Sequence, residues 1–97
     1  MTTVYFISDG VNVKIGQSEN PVLRLLQLQT GNSLPLRLLY IIENVPEEFE
    51  AHTHSVCKRY NIQGEWFIPT VIDHLKKNPW YKTHMKEYIP VRVVKTN

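Results

Sequence analysis

A chain of 97 residues with 42% hydrophobic content fits one domain around one modest core. Its apolar runs are too short to span a bilayer, and no charged region followed by a long apolar stretch opens it, so a membrane or leader-bearing protein is not expected. The single cysteine, Cys57, excludes an internal disulfide framework and makes a reducing, cytoplasmic setting the default. The formal charge of +2 is unevenly spread, because residues 1–73 carry net −3 and residues 74–97 carry net +5. The basic end is either an ordinary solvated segment or an arm suited to a polyanion such as nucleic acid.

Thr3 to Ile7 is β-branched and aromatic and reads as a strand, and Val11, Val13 and Ile15 alternate with polar residues as a second one. Asp9-Gly10 between them reads as a two-residue hairpin loop. That loop pairs Tyr5 with Lys14 as direct cross-strand neighbours, with Cβ atoms roughly 4.5–5.5 Å apart. Val4, Phe6, Val13 and Ile15 then turn to the opposite face, toward the core.

Gly16 allows a turn, and Asn20-Pro21 supplies an N-cap followed by proline in the first helical position. The helix runs to Gly31, and its apolar residues leave a narrow polar gap for Arg24 and Gln27. Leu34 to Ile42 reads as a central strand. Pro46 opens a second helix reaching to about Tyr60, with Phe49, Thr53, Val56 and Tyr60 as its buried stripe. Glu50, His54 and Cys57 form an adjacent stripe at i, i+4 and i+7.

Gly64-Glu65-Trp66-Phe67 is a turn leading to an aromatic anchor, with Trp66 expected between the second and third helices. Thr70 and Asp73 have capping-box spacing for a short helix, Val71 to Lys77, which Asn78-Pro79 ends. Tyr88 to Val94 reads as a last edge strand. The pattern as a whole is an α+β fold.

Four groups have the chemistry of phosphodiester hydrolysis, which requires an activated water, a cation at the phosphate and help for the leaving oxygen. The fork of Arg24 suits two phosphate oxygens, and Glu50 is a hard oxygen ligand of the kind Mg²⁺ prefers. Tyr5 is placed to orient or deprotonate water, with Lys14 favouring its phenolate. His54, one helical turn from Glu50, is a partner for metal support or proton transfer. The plainer alternatives are a packed Tyr5, a solvated Lys14 and an Arg24–Glu50 salt bridge. A zinc site from His54, Cys57 and a distant His74 or His84 is the remaining metal reading, without any Cys-x-x-Cys or His-x-x-x-His pair behind it.

Taken together, Thr3-Val4-Tyr5, Lys14-Ile15-Gly16, Ser18, Asn20-Pro21, Arg24-Leu25, Leu28 to Asn32, Glu50-x-x-x-His54 and Gly64-Glu65-Trp66-Phe67 resemble the GIY-YIG endonuclease superfamily. The nearer resemblance is to its small phage and bacterial branch with KIG and GEWF motifs. It covers roughly residues 3–77 and leaves residues 78–97 outside as a basic C-terminal extension packed on or near the same domain. The first motif lacks its glycine, a lysine stands for the second tyrosine, and the gap between the two is short. The resemblance implies a β-β-α-β-α core and single-metal hydrolysis with Mg²⁺ or Mn²⁺. Tyr5 would be the first-motif tyrosine, Arg24 the phosphate-facing arginine and Glu50 the metal ligand. The expected partner is nucleic acid, DNA rather than RNA, met by the chain alone or as a homodimer in a bacterial or phage-infected cell. Lys76, Lys77, Lys82 and Lys86 are the expected phosphate contacts. A catalytically silent binding module is the alternative.

Overall fold

The computed structural model describes residues 1–90. Strands β1 (Thr2–Ser8) and β2 (Val13–Ser18) are followed by α1 (Pro21–Thr30), β3 (Arg37–Val45) and α2 (Phe49–Val56). A 3₁₀ turn at Lys58–Tyr60 leads into β4 (Asn61–Gln63), β5 (Trp66–Phe67), α3 (Val71–Lys76), α4 (Pro79–His84) and β6 (Lys86–Glu87). The strands form one antiparallel sheet in the order β4-β5-β2-β1-β3-β6. The architecture is α+β, as its alternating patterns predict.

The β1–β2 hairpin departs from the two-residue loop. Asp9 Oδ1 accepts hydrogen bonds from the amides of Val11 (2.9 Å) and Asn12 (2.7 Å), and the Asp9 amide donates to the Asn12 carbonyl. Those bonds hold Val11 and Asn12 in the loop, with Gly10 at φ +94°. The register therefore slips by two residues, pairing Tyr5 with Gly16 and Ile7 with Lys14. Tyr5 and Lys14 are diagonal neighbours, not the directly opposed pair. A slip of two leaves every side chain on its expected face. Val4, Phe6, Val13 and Ile15 do lie together in the main core.

Both faces of the sheet are covered. On one, α2, α3 and α4 bring Thr53, Cys57, Val71, Leu75, Tyr81 and Met85 onto β1, β2 and β3. On the other, Leu25 and Leu28 of α1 lie over Tyr5, Ile7 and Leu38. Full burial of each large side chain contributes about 1.5–3 kcal/mol. The helix thus turns Leu25 and Leu28 inward, while Val22, Leu23 and Leu26 face outward rather than closing a ring around a polar gap. Arg24 stands on the flank of the inward stripe.

Local side chains fix the connections. Asn20 Oδ1 caps α1 at the Leu23 amide (3.0 Å), and Gln29 stitches the following loop by donating to the Leu34 carbonyl and accepting from the Leu36 amide. Asn61 Nδ2 donates to the carbonyls of Gly64 and Trp66 across the turn before β5. Within β5, Phe67 enters the core against His54, and Trp66 faces the α1 side near Lys14. The helix-facing anchor is therefore Phe67, and the placement of Trp66 between the second and third helices is corrected. Successive strand residues point to opposite faces, so a one-residue difference decides which aromatic is buried.

The second helix is shorter than Pro46 to Tyr60, and its buried face runs through Thr53 and Cys57 while Val56 is exposed. Asn78-Pro79 ends α3 and also starts α4, where Asn78 Oδ1 accepts from the Trp80 amide (2.9 Å). Tyr81 then buries its ring and its hydroxyl meets that of Thr53 at 2.9 Å. The last strand pairs with β3 at Lys86 and Glu87, two residues earlier than Tyr88, and the expected Val91 to Val94 part lies outside the described residues. No helix among the described residues is long and apolar enough to cross a membrane.

Candidate active site

The site forms where the sheet is incomplete. β5 pairs with β2 only at Val13 and Lys14, and the Ile15 amide donates to the Glu65 carbonyl (2.9 Å). Beyond that point no described strand covers this edge of β2 at residues 16–18. Groups from both faces of the sheet can meet there, around a strand end that α1 approaches from one side and α2 from the other.

Gly16 makes the crossing possible. The Tyr5 ring lies over its Cα, and a Cβ there would stand 2.9 Å from Tyr5 Cε1 and closer still to Cζ and Oη. The glycine is needed for space. Tyr5 is only 2% exposed, yet its hydroxyl is influenced by Arg24 of α1, Glu50 of α2 and Glu65 of the turn before β5. Burial pushes the hydroxyl above the ordinary tyrosine range, the nearby Arg24 guanidinium opposes the rise, and the Glu65 and Glu50 charges add to it. The phenolate expected from a neighbouring Lys14 is thus not favoured. Tyr5 is a protonated donor at neutral pH.

Glu50 and Glu65 face the same pocket, a hollow of about 380 Å³ that Gln17, Glu47 and His54 also line. The Glu50 side chain is 15% exposed. Burial raises its carboxyl above the usual range, and the Glu65 charge raises it further, while His54 and Lys14 pull it down. Lys14 Nζ is 3.1 Å from Glu65 Oε1 and 5.6 Å from the centre of the Trp66 ring. His54 Nε2 lies 2.8 Å from the Ile15 carbonyl, which can only accept, so this nitrogen carries the proton. The same nitrogen is 3.6 Å from Glu50 Oε1. His54 therefore ties α2 to β2 at Ile15, with the Glu50 carboxylate close by.

Glu50, His54 and Glu65 thus line one hollow, Lys14 joins it through Glu65, and the Tyr5 hydroxyl is influenced by Arg24, Glu65 and Glu50. Glu65 was not among the residues singled out from the sequence, where the Gly64-Glu65-Trp66-Phe67 run reads as a turn with an aromatic anchor. The available signal was its adjacency to Trp66, which pairs with Lys14 and so brings the preceding residue to the same edge. The basic residues of the C-terminal region are not equivalent. Lys76 donates to the Tyr40 hydroxyl and sits over its ring at 4.2 Å, and Lys86 pairs with Glu43 at 3.0 Å. Lys77 and Lys82 are exposed.

The zinc reading has no matching geometry. Among the described residues no three His, Cys, Asp or Glu side chains are grouped to hold an ion. Cys57 is fully buried in the core, and burial pushes its thiol up to about 12. His74 Nε2 is engaged with the Val56 carbonyl, and His84 Nδ1 with the Trp80 carbonyl. A hard cation fits better. Glu50, Glu65 and the buried side-chain oxygen of Gln17, which has no hydrogen-bond partner, supply oxygen donors only. Mg²⁺ characteristically takes one or two carboxylates and completes its shell with water and phosphate.

Residues 2–88 match the T5orf172 domain. The chain belongs to the T5orf172 domain family. This is a phage-associated domain in the HNH/GIY-YIG-like, nuclease-related group. The match continues past α3 through α4 and β6, so the T5orf172 domain includes the Tyr81 and Met85 side chains that complete the core. No curated protein and no solved structure matches the chain.

Proposed function

We propose that this T5orf172 domain is a GIY-YIG-type, metal-dependent endonuclease that hydrolyses phosphodiester bonds in DNA. The observation that carries the reading is the closeness of Tyr5, Arg24 and Glu50 beside the Lys14–Glu65 pair, next to the uncovered end of β2. Tyr5, Lys14, Arg24 and Glu50 come from two strands and two helices on opposite faces of the sheet. Packing alone gives no reason for a half-buried carboxyl, a buried phenol and two cations to lie within one another's electrostatic reach.

Each residue has a distinct task in this reading. Arg24, exposed on the flank of α1, binds two non-bridging oxygens of the scissile phosphate and offsets the charge that builds there. Tyr5, protonated and held over Gly16, donates its hydroxyl to the attacking water or to a phosphate oxygen and fixes its direction. Lys14 adds a positive charge on the same side. Glu50 would hold the Mg²⁺ or Mn²⁺ ion, with His54 adjacent to its carboxylate. When bound, the ion supplies charge for the leaving oxygen and lowers the pKa of water. Lys77 and Lys82 provide exposed cations for flanking phosphates, while Lys76 and Lys86 exchange existing partners if they join.

Supercoiled plasmid incubated with the protein and Mg²⁺ tests the reading. Nicked or linear product that disappears with EDTA and in Glu50→Ala supports an endonuclease. DNA binding with no product under any divalent cation would instead make the domain a binding module built on the same surface.

A further inference from the structure

Glu65 has no role in the proposed reaction, yet it joins Ile15, Lys14 and the pocket that Glu50 lines. Its carbonyl receives the Ile15 amide, which fixes the residue beside the free end of β2. Its carboxylate takes Lys14 Nζ at 3.1 Å. It lines the same 380 Å³ pocket as Glu50, and the turn before β5 that carries it is held by Asn61. The side chain is 41% exposed, so its carboxylate is free to change partner without disturbing the core.

Gln17, which also lines that pocket, is the second observation. The Gln17 side-chain oxygen is buried and has no hydrogen-bond partner, in a chain whose other buried side-chain polar atoms among the described residues are all satisfied. A buried acceptor without a donor is costly, and a donor or a cation removes that cost. Beside two carboxylates the need is not met by a third anion.

We propose that Glu65 is a second carboxylate ligand of the divalent cation alongside Glu50, and that Lys14 holds its place until the cation enters. The proposal rests on the reading of Glu50 as the metal ligand. The Lys14 ammonium pairs with Glu65. Glu50 and Glu65 would together hold a divalent cation, whose charge would replace that of Lys14 and leave the lysine free for the phosphate. Entry of the metal and delivery of the lysine to the substrate are then one event. The order has a chemical consequence, because Lys14 reaches the phosphate only after the metal is in place.

Titration of the full chain with Mn²⁺, followed by calorimetry and by the EPR signal of free Mn²⁺, tests this without any turnover. The wild type binds one ion. Glu65→Gln weakens binding at least tenfold, since cation affinity follows the charge count of the ligands, and Glu65→Asp, which keeps the charge, loses less. Lys14→Met removes the competing ammonium and tightens binding several-fold. Melting curves in EDTA confirm that each variant is folded. Wild-type affinity in Glu65→Gln, with binding lost in Glu50→Gln, overturns the role of Glu65 and leaves the Glu50 site standing. Unchanged or weaker binding in Lys14→Met overturns the exchange. No Mn²⁺ bound by the wild type overturns the metal reading and this proposal together.

Discussion

Replacing Gly16 with alanine tests whether the site is built by the passage of Tyr5 across β2. The added Cβ would stand 2.9 Å from Tyr5 Cε1 and nearer still to Cζ and Oη. Such an approach forces something to move. The methyl group is rigid on its strand, so the tyrosine must give. The Tyr5 ring is 2% exposed and packed with Ile7 and Leu38 beneath Leu25 and Leu28, which leaves it little room. Overpacking of this kind costs about 1–3 kcal/mol. For a domain of this size each kcal/mol lowers Tm by roughly 4–8 °C, so a fall of roughly 5–20 °C is expected in a two-state melt. The glycine's backbone is ordinary, so the loss is steric and is relieved by shrinking the partner. In the Tyr5→Leu background the same Gly16→Ala change should cost much less, a coupling that a double-mutant cycle measures directly. If Gly16→Ala melts with the wild type, or costs as much without the tyrosine as with it, the crossing of Tyr5 over Gly16 is not what requires a glycine there.

Arg24→Ala should abolish cleavage while leaving the melting temperature nearly unchanged, because the side chain is exposed, and Arg24→Lys should recover little because a point charge does not replace a bidentate fork; wild-type rates in either variant would remove Arg24 from the mechanism. Tyr81→Phe leaves the buried Thr53 hydroxyl without its 2.9 Å partner and should cost about 1–3 kcal/mol in urea unfolding, whereas a neutral result would detach α4 from the core. Burial holds the Cys57 thiol near 12 against an ordinary value of 9.0, so above pH 9 the unfolded chain loses its proton first. Stability should therefore fall as pH rises from about 9 toward 12, less steeply in Cys57→Ala, and equal slopes for the two proteins would contradict this.

The fold was largely legible because its strongest signals are periodic. Alternation in β1 and β2 assigns faces correctly even though the register is displaced, since a two-residue slip preserves parity. The displacement itself was not legible. Asp9-Gly10 has the composition of a tight turn, and nothing in the dipeptide announces that the Asp9 carboxylate will capture two amides further along. The aromatic pair Trp66-Phe67 failed for a related reason, because a two-residue strand has too short a pattern to reveal which side faces the helices. Asn78-Pro79 is equally good as a stop for α3 and as a cap for α4, and only the burial of Tyr81 distinguishes them. Tyr5, Lys14, Arg24, Glu50 and His54 could be singled out from chemistry and resemblance. Glu65 could not, because its importance comes from the strand pairing that carries it to Lys14 and from the pocket it shares with Glu50.

The central claim is that Glu50 holds the ion at a hydrolytic site. Single-turnover cleavage of saturating DNA in Mg²⁺, measured side by side for the wild type and Glu50→Gln, addresses it most directly. The substitution keeps the shape of a side chain that is 15% exposed and removes only its charge, so folding and DNA affinity should be preserved. A fall of about a thousandfold or more in the cleavage rate at undiminished DNA binding is expected, in line with the several kcal/mol of charge stabilisation that a bound metal provides. An unchanged rate in Glu50→Gln would contradict it.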